Sequence, residues 1–119
     1  MNTPYAKLCS TETSVSRHYY IYLNTITTNW LQGSEYVQLY KPESGKYIVI
    51  VPLSNLSAME NREAKAVRRQ RGASMIRCGR MVSSGELRKD LLNVRYHVRL
   101  DRKGWIYICL NEPFEGRTG

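Results

Sequence analysis

Apolar and polar positions in this chain fall into short runs rather than long helical stretches. His18-Tyr19-Tyr20-Ile21-Tyr22-Leu23 is aromatic and β-branched, which predicts a strand. Asn24 or Thr25 then offers a cap, and Ile26, Trp30 and Leu31 share one face of a short helix that Gly33 stops. Residues 35–40 and 46–52 predict two further strands, joined by the turn-rich Lys41-Pro42-Glu43-Ser44-Gly45. In the second of these strands, residues 47–51 are apolar on both faces, as a strand wrapped by other elements requires.

From 55 to 72 the pattern changes. Ser57 and Asn61 are alternative caps, and the Ala, Glu, Lys and Arg content up to Gln70 predicts a polar helical linker ended by Gly72. The first pattern then returns. Residues 75–82 predict a strand, and a short helix from Ser84 carries Leu87, Leu91 and Leu92. Strands over 96–100 and 105–110 follow, joined by Asp101-Arg102-Lys103-Gly104. Moving the second unit back by 61 residues lays Leu87, Leu91 and Leu92 on Ile26, Trp30 and Leu31. The expected fold is α+β and mainly β, with duplicated β-α-β-β units at 17–54 and 73–112. Residues 1–16, rich in Thr and Ser, are expected to form a flexible arm, and 113–119 a flexible tail.

Charge changes this picture because it is unevenly placed. Across 119 residues the net charge is +8, yet residues 1–61 balance four basic against four acidic side chains. Residues 62–103 hold thirteen Lys and Arg against Glu63, Glu86, Asp90 and Asp101, a net +9. Such a segment suits a polyanion, because each cation placed on a phosphate releases condensed counterions. The scattered Cys9, Cys78 and Cys109 form no disulfide framework or zinc motif and read as inert thiols of a reducing cytoplasm. No apolar run reaches the roughly 20 residues that a bilayer span needs, and the N-terminus lacks the pattern of a signal peptide.

Gly79-Arg80-Met81-Val82-Ser83-Ser84-Gly85-Glu86-Leu87-Arg88-Lys89-Asp90-Leu91 resembles the core of the AbrB/MraZ-type swapped-hairpin family. The Gly-Arg, the apolar pair, the Glu-Leu-Arg-Lys and the Leu are in register with it. Ser83-Ser84 stands where the family has Ile-Pro. The resemblance implies an intertwined barrel in which two units exchange hairpins, within one chain or between chains. It also implies a homo-oligomeric transcription regulator of duplex DNA, with Arg80, Arg88 and Lys89 as contacts. Arg77 lies three residues before Arg80, so only one of the two can face DNA from a straight strand.

Charge alone adds Arg62, Lys65 and Arg69, one stripe of the expected linker helix, flanked by Arg68 and Arg71. His18 and His97 lie far apart with no acidic or cysteine cluster beside them, and Ser83 and Ser84 lack a partnering base. The reading is therefore a protein that is not an enzyme and needs no cofactor or metal. The alternatives are an RNA-binding module and a small, phage-borne accessory protein that inhibits a protein partner. Against RNA, no Lys/Arg-Gly-Phe/Tyr string is present, and the nine tyrosines are expected mostly in the core.

Overall fold

The fold follows from a computed structural model that describes residues 3–12, 17–42 and 44–114. Nine strands form one sheet, which curls into a nearly closed barrel. They are β1 (Tyr5–Glu12), β2 (Arg17–Leu23), β3 (Tyr36–Tyr40), β4 (Tyr47–Leu53), β5 (Lys65–Ala66), β6 (Arg68–Gln70), β7 (Ala73–Arg77), β8 (Val94–Leu100) and β9 (Ile106–Pro113). Three five-residue helices accompany them: α1 (Thr25–Asn29), α2 (Asn55–Met59) and α3 (Gly79–Ser83). The order across the sheet is β5-β3-β4-β9-β8-β1-β2-β7-β6, with antiparallel neighbours throughout. Its two ends, β5 and β6, are separated in the chain only by Val67, whose N–H donates to the Glu35 carbonyl at 2.9 Å. Residues 65–70 thus act as one stave that pairs first with β3 and then with β7.

Alternation fills the barrel. Ala6, Leu8, Ile21, Leu23, Val37, Ile48, Ile50, Ile76, Ile106 and Ile108 are fully buried at alternating positions of their strands, and on β4 and β9 the intervening Val49 and Cys109 are covered as well. Replacing one of the larger of these, such as Ile21, with Ala is expected to cost about 2–5 kcal/mol. The buried Thr28 hydroxyl donates to the Leu23 carbonyl at 3.1 Å. It therefore accepts from Ser74 at 2.8 Å, and this bond joins α1 to β7.

Several expectations are corrected. Tyr5–Glu12, read as part of a flexible arm, is a strand between β8 and β2. Asn24 explains its order: the side-chain oxygen caps α1 by accepting from Thr27 N–H, and also accepts from Tyr5 N–H at 3.1 Å. The remaining arm residues 1–2 and 13–16 lie outside the described residues. The polar linker is helical only at α2, capped by Ser54 rather than Ser57 or Asn61. Its basic part is β5 and β6, because the barrel seam supplies hydrogen-bond partners that outweigh a modest helix propensity. Arg71 and Gly72, both at positive φ, form the two-residue turn of the β6–β7 hairpin, so Gly72 does not end a helix.

The strand expected over 75–82 stops at Arg77, and α3 follows at once. The α-helix expected from Ser84 is absent. A single 3-10 turn, Lys89–Leu91, stands there, and Leu87 is buried without it. At the C-terminus Pro113 ends β9, Phe114 packs on Tyr5 and His97, and residues 115–119 lie outside the described residues. Among the described residues no helix is long and apolar enough to cross a membrane.

Candidate nucleic-acid interface

Because Ile21 and Leu23 point into the core, His18, Tyr20 and Tyr22 of β2 face outward. The same logic turns Tyr5, Lys7 and Cys9 outward on β1, Met75 and Arg77 on β7, and Arg95 and His97 on β8. Register lines these side chains up across the strands. One row runs Arg68–Met75–Tyr22–Lys7–Arg95 over β6, β7, β2, β1 and β8. The next runs Arg77–Tyr20–Cys9 over β7, β2 and β1, and beyond the first row Tyr5 opposes His97. At one strand spacing of about 4.8 Å per step, the long row spans about 19 Å.

The aromatic groups on this face touch one another and the cations. The rings of Tyr5 and Tyr22 lie 6.1 Å apart, and Phe114 sits 5.7 Å from Tyr5 and 5.1 Å from His97. The Arg95 guanidinium lies over the Tyr5 ring at 4.8 Å, within cation–π range. Partial burial and then the neighbouring Tyr5 push the Tyr22 phenol up, against the opposing pull of Arg95. The Cys9 thiol is likewise pushed up by burial, with Lys7 and a bond to Tyr20 opposing. Neither group therefore adds a negative charge to this face at physiological pH.

Between β1, β2, β7 and β6 the surface dips into a recess of about 270 Å³, where Tyr20 and Met75 lie with Arg68 and Arg77. Thr11 and His18 also line it, and the Thr11 hydroxyl donates to the Tyr20 oxygen at 3.4 Å.

The nine basic residues singled out by charge and resemblance divide in space. Arg68 and Arg77 share the recess on this face, and Arg71 lines a neighbouring hollow with Tyr22 and Met75. Arg77, the last residue of its strand, is thus the sheet-face member of the Arg77/Arg80 pair. Lys65 and Arg80 belong elsewhere, to a hollow lined by Lys41, Glu63, Cys78 and Glu86. Arg88 lines a third, with Lys41 and Lys46, and its Nε lies 3.3 Å from Asp90. Arg62 and Lys89 are exposed, outside the recess and all three hollows. The stripe Arg62–Lys65–Arg69 does not exist as one helix face, and Arg69 instead donates to the Ser34 carbonyl at 2.8 Å.

Lys7, Arg95, Tyr5 and Tyr22 join the candidate site without having been singled out. Tyr5-Ala6-Lys7-Leu8 carried the signal, an outward–inward alternation hidden in a Thr- and Ser-rich segment. The tyrosines are also redistributed: Tyr96 alone is buried, at 2% exposure, and the others stand on the barrel's surface or at its ends. Comparison with protein-family models, curated proteins and solved structures finds no match to this chain.

Proposed function

We propose that this protein binds nucleic acid across the outward face of β6, β7, β2, β1 and β8. The observation that carries this reading is the row Arg68–Met75–Tyr22–Lys7–Arg95, with Arg77 and Tyr20 beside it. Arginine and lysine neutralise phosphates, tyrosine rings give bases a stacking surface, and register interleaves the two at strand spacing. The Gly79–Leu91 resemblance supplies a narrower role, a cytoplasmic transcription regulator on duplex DNA. In that role Arg80 and Arg88, in the two hollows that share Lys41, and the exposed Lys89 would make a second set of phosphate contacts.

The strand order supports the duplicated, swapped-hairpin part of this reading. Exchanging β1, β2, β3 and β4 with the 65–70 stave, β7, β8 and β9 reproduces the same circular order. The repeating unit is then β-β-α-β-β, with α1 matched to α3. On this reading the two hairpins lie side by side through β4 and β9, with both units in one chain. A protein partner is the second reading. It rests on Leu56 and Met59 of α2, which are 70% and 84% exposed.

Titration of labelled duplex and single-stranded oligonucleotides at several salt concentrations tests the proposal. Binding is expected in the roughly nanomolar-to-micromolar range, with log affinity falling steeply against log salt. Affinity that is absent, or indifferent to salt, for both ligands would reject it.

A further inference from the structure

The recess beside Tyr20 narrows the ligand class, resting on the nucleic-acid reading above. We propose that it takes one unpaired nucleobase of a single-stranded segment, stacked against Tyr20 and Met75, with the flanking phosphates on Arg68 and Arg77.

Three observations converge on this ligand. The recess combines an aromatic ring and a thioether with two guanidinium groups carried by adjacent strands, β6 and β7. A simple anion would satisfy the arginines and leave the ring and sulfur unused; an acidic peptide would do the same. A nucleotide offers both a π-face and a phosphate, and its parts meet complementary groups at once. The Thr11 hydroxyl, which donates to the Tyr20 oxygen at 3.4 Å, keeps its own oxygen to accept from the polar edge of a base. Beyond the recess, the strand's path continues over Tyr22 and Tyr5 to Lys7 and Arg95, so further bases meet further rings. In a duplex the bases are stacked and paired, and their faces cannot reach a recess in a convex sheet.

The test uses the full chain and fluorescence anisotropy with three probes of equal length: a single-stranded oligothymidylate, an abasic sugar–phosphate strand, and a blunt duplex. The oligothymidylate is expected to bind at least about fivefold more tightly than the abasic strand. Tyr20→Ala is expected to abolish that ratio and Tyr20→Phe to keep most of it, each checked for folding by circular dichroism. Equal affinity for the base-bearing and abasic strands overturns the inference, and needs no variant at all. So does a ratio that survives Tyr20→Ala. Tighter binding of the duplex also overturns it, while leaving the broader nucleic-acid proposal standing. Failure of all three probes to bind in a salt-dependent way removes that proposal as well.

Discussion

Two outward faces of this barrel carry tyrosines, and they arrange their polar groups differently. On β3, β4, β9 and β8, one row runs Tyr40–Val49–Tyr107–Arg99. There Arg99 and Tyr107 are matched to carboxylates, while Lys103 lies over the Trp105 ring at 4.5 Å. Arg99 donates to both Glu112 oxygens at 3.2 Å, the Tyr107 hydroxyl donates to Asp101 at 3.0 Å, and the Tyr47 and Tyr107 rings pack edge to face at 5.8 Å. On β6, β7, β2, β1 and β8 the cations instead stand beside rings and recesses, with Arg95 over Tyr5 and Arg68 and Arg77 around Tyr20. The difference teaches that a count of basic residues does not define a polyanion site. What counts is whether the fold sets cations beside one another and beside stacking surfaces, or matches them with its own carboxylates.

The strongest way to break this comparison is charge removal. Arg68→Ala, Arg77→Ala and Arg95→Ala together are expected to weaken oligonucleotide binding by about a hundredfold and to flatten its salt slope by roughly two to three. Arg99→Ala, Arg102→Ala and Lys103→Ala together should change either by no more than about twofold. Equal losses would erase the distinction between the faces.

A smaller effect separates the rings. Tyr22→Ala is expected to reduce single-strand affinity by about fivefold or more, through loss of stacking and of its contact with Tyr5. Tyr40→Ala should leave it unchanged in the same titration.

Alkali probes the core under both faces. Burial pushes the Cys78 thiol up to about 12 from an ordinary 9.0, and Tyr96 is raised in the same direction, also by burial. In each case the folded state holds a proton that the unfolded state releases earlier. Stability is therefore intact below about pH 9 and falls as pH rises towards 12. Melting temperature measured from pH 8 upward should decline, and more shallowly in Cys78→Ala despite its lower starting point.

The smallest effect lies in the β8–β9 turn. Partial burial of Asp101 is outweighed by hydrogen bonds from Trp105 N–H, the Tyr107 hydroxyl and Lys103 N–H, which hold its carboxyl low. This stabilisation is present above the ordinary 3.8 and is lost as pH falls below it through the folded value. Tyr107→Phe is expected to lower the melting temperature only slightly at neutral pH and to leave oligonucleotide binding unaltered.

Local pattern made part of this fold legible. The β2 run, the Asn24 cap, and both hairpins around 41–45 and 101–104 are found close to where residue chemistry predicts them. What remained hidden depends on partners far away in the chain. Ala6 and Leu8 alternate over too few residues to outweigh the Ser and Thr around them. The Lys65–Gln70 segment has a helix-forming composition, and only the gap between β3 and β7 makes it a strand. Conversely, the apolar Met81 and Val82 read as strand, but α3 buries both at the barrel's end. For the site, Arg68, Arg71 and Arg77 were legible as charge. Their company was not, since Lys7, Tyr22 and Arg95 are neighbours through strand pairing alone.

The stave at 65–70 has a thermodynamic consequence. Its three-residue half, β6, carries Arg68, which begins the row that ends at Arg95 on β8. A strand of nucleic acid lying along that row would act as a strap from the barrel's seam to the far side of its sheet. Ligation and closure would then be linked functions: whatever tightens one raises the other, by RT ln(1 + [L]/Kd) when only the closed form binds. Amide exchange at Val67 and Arg68 would report occupancy without any residue there being replaced.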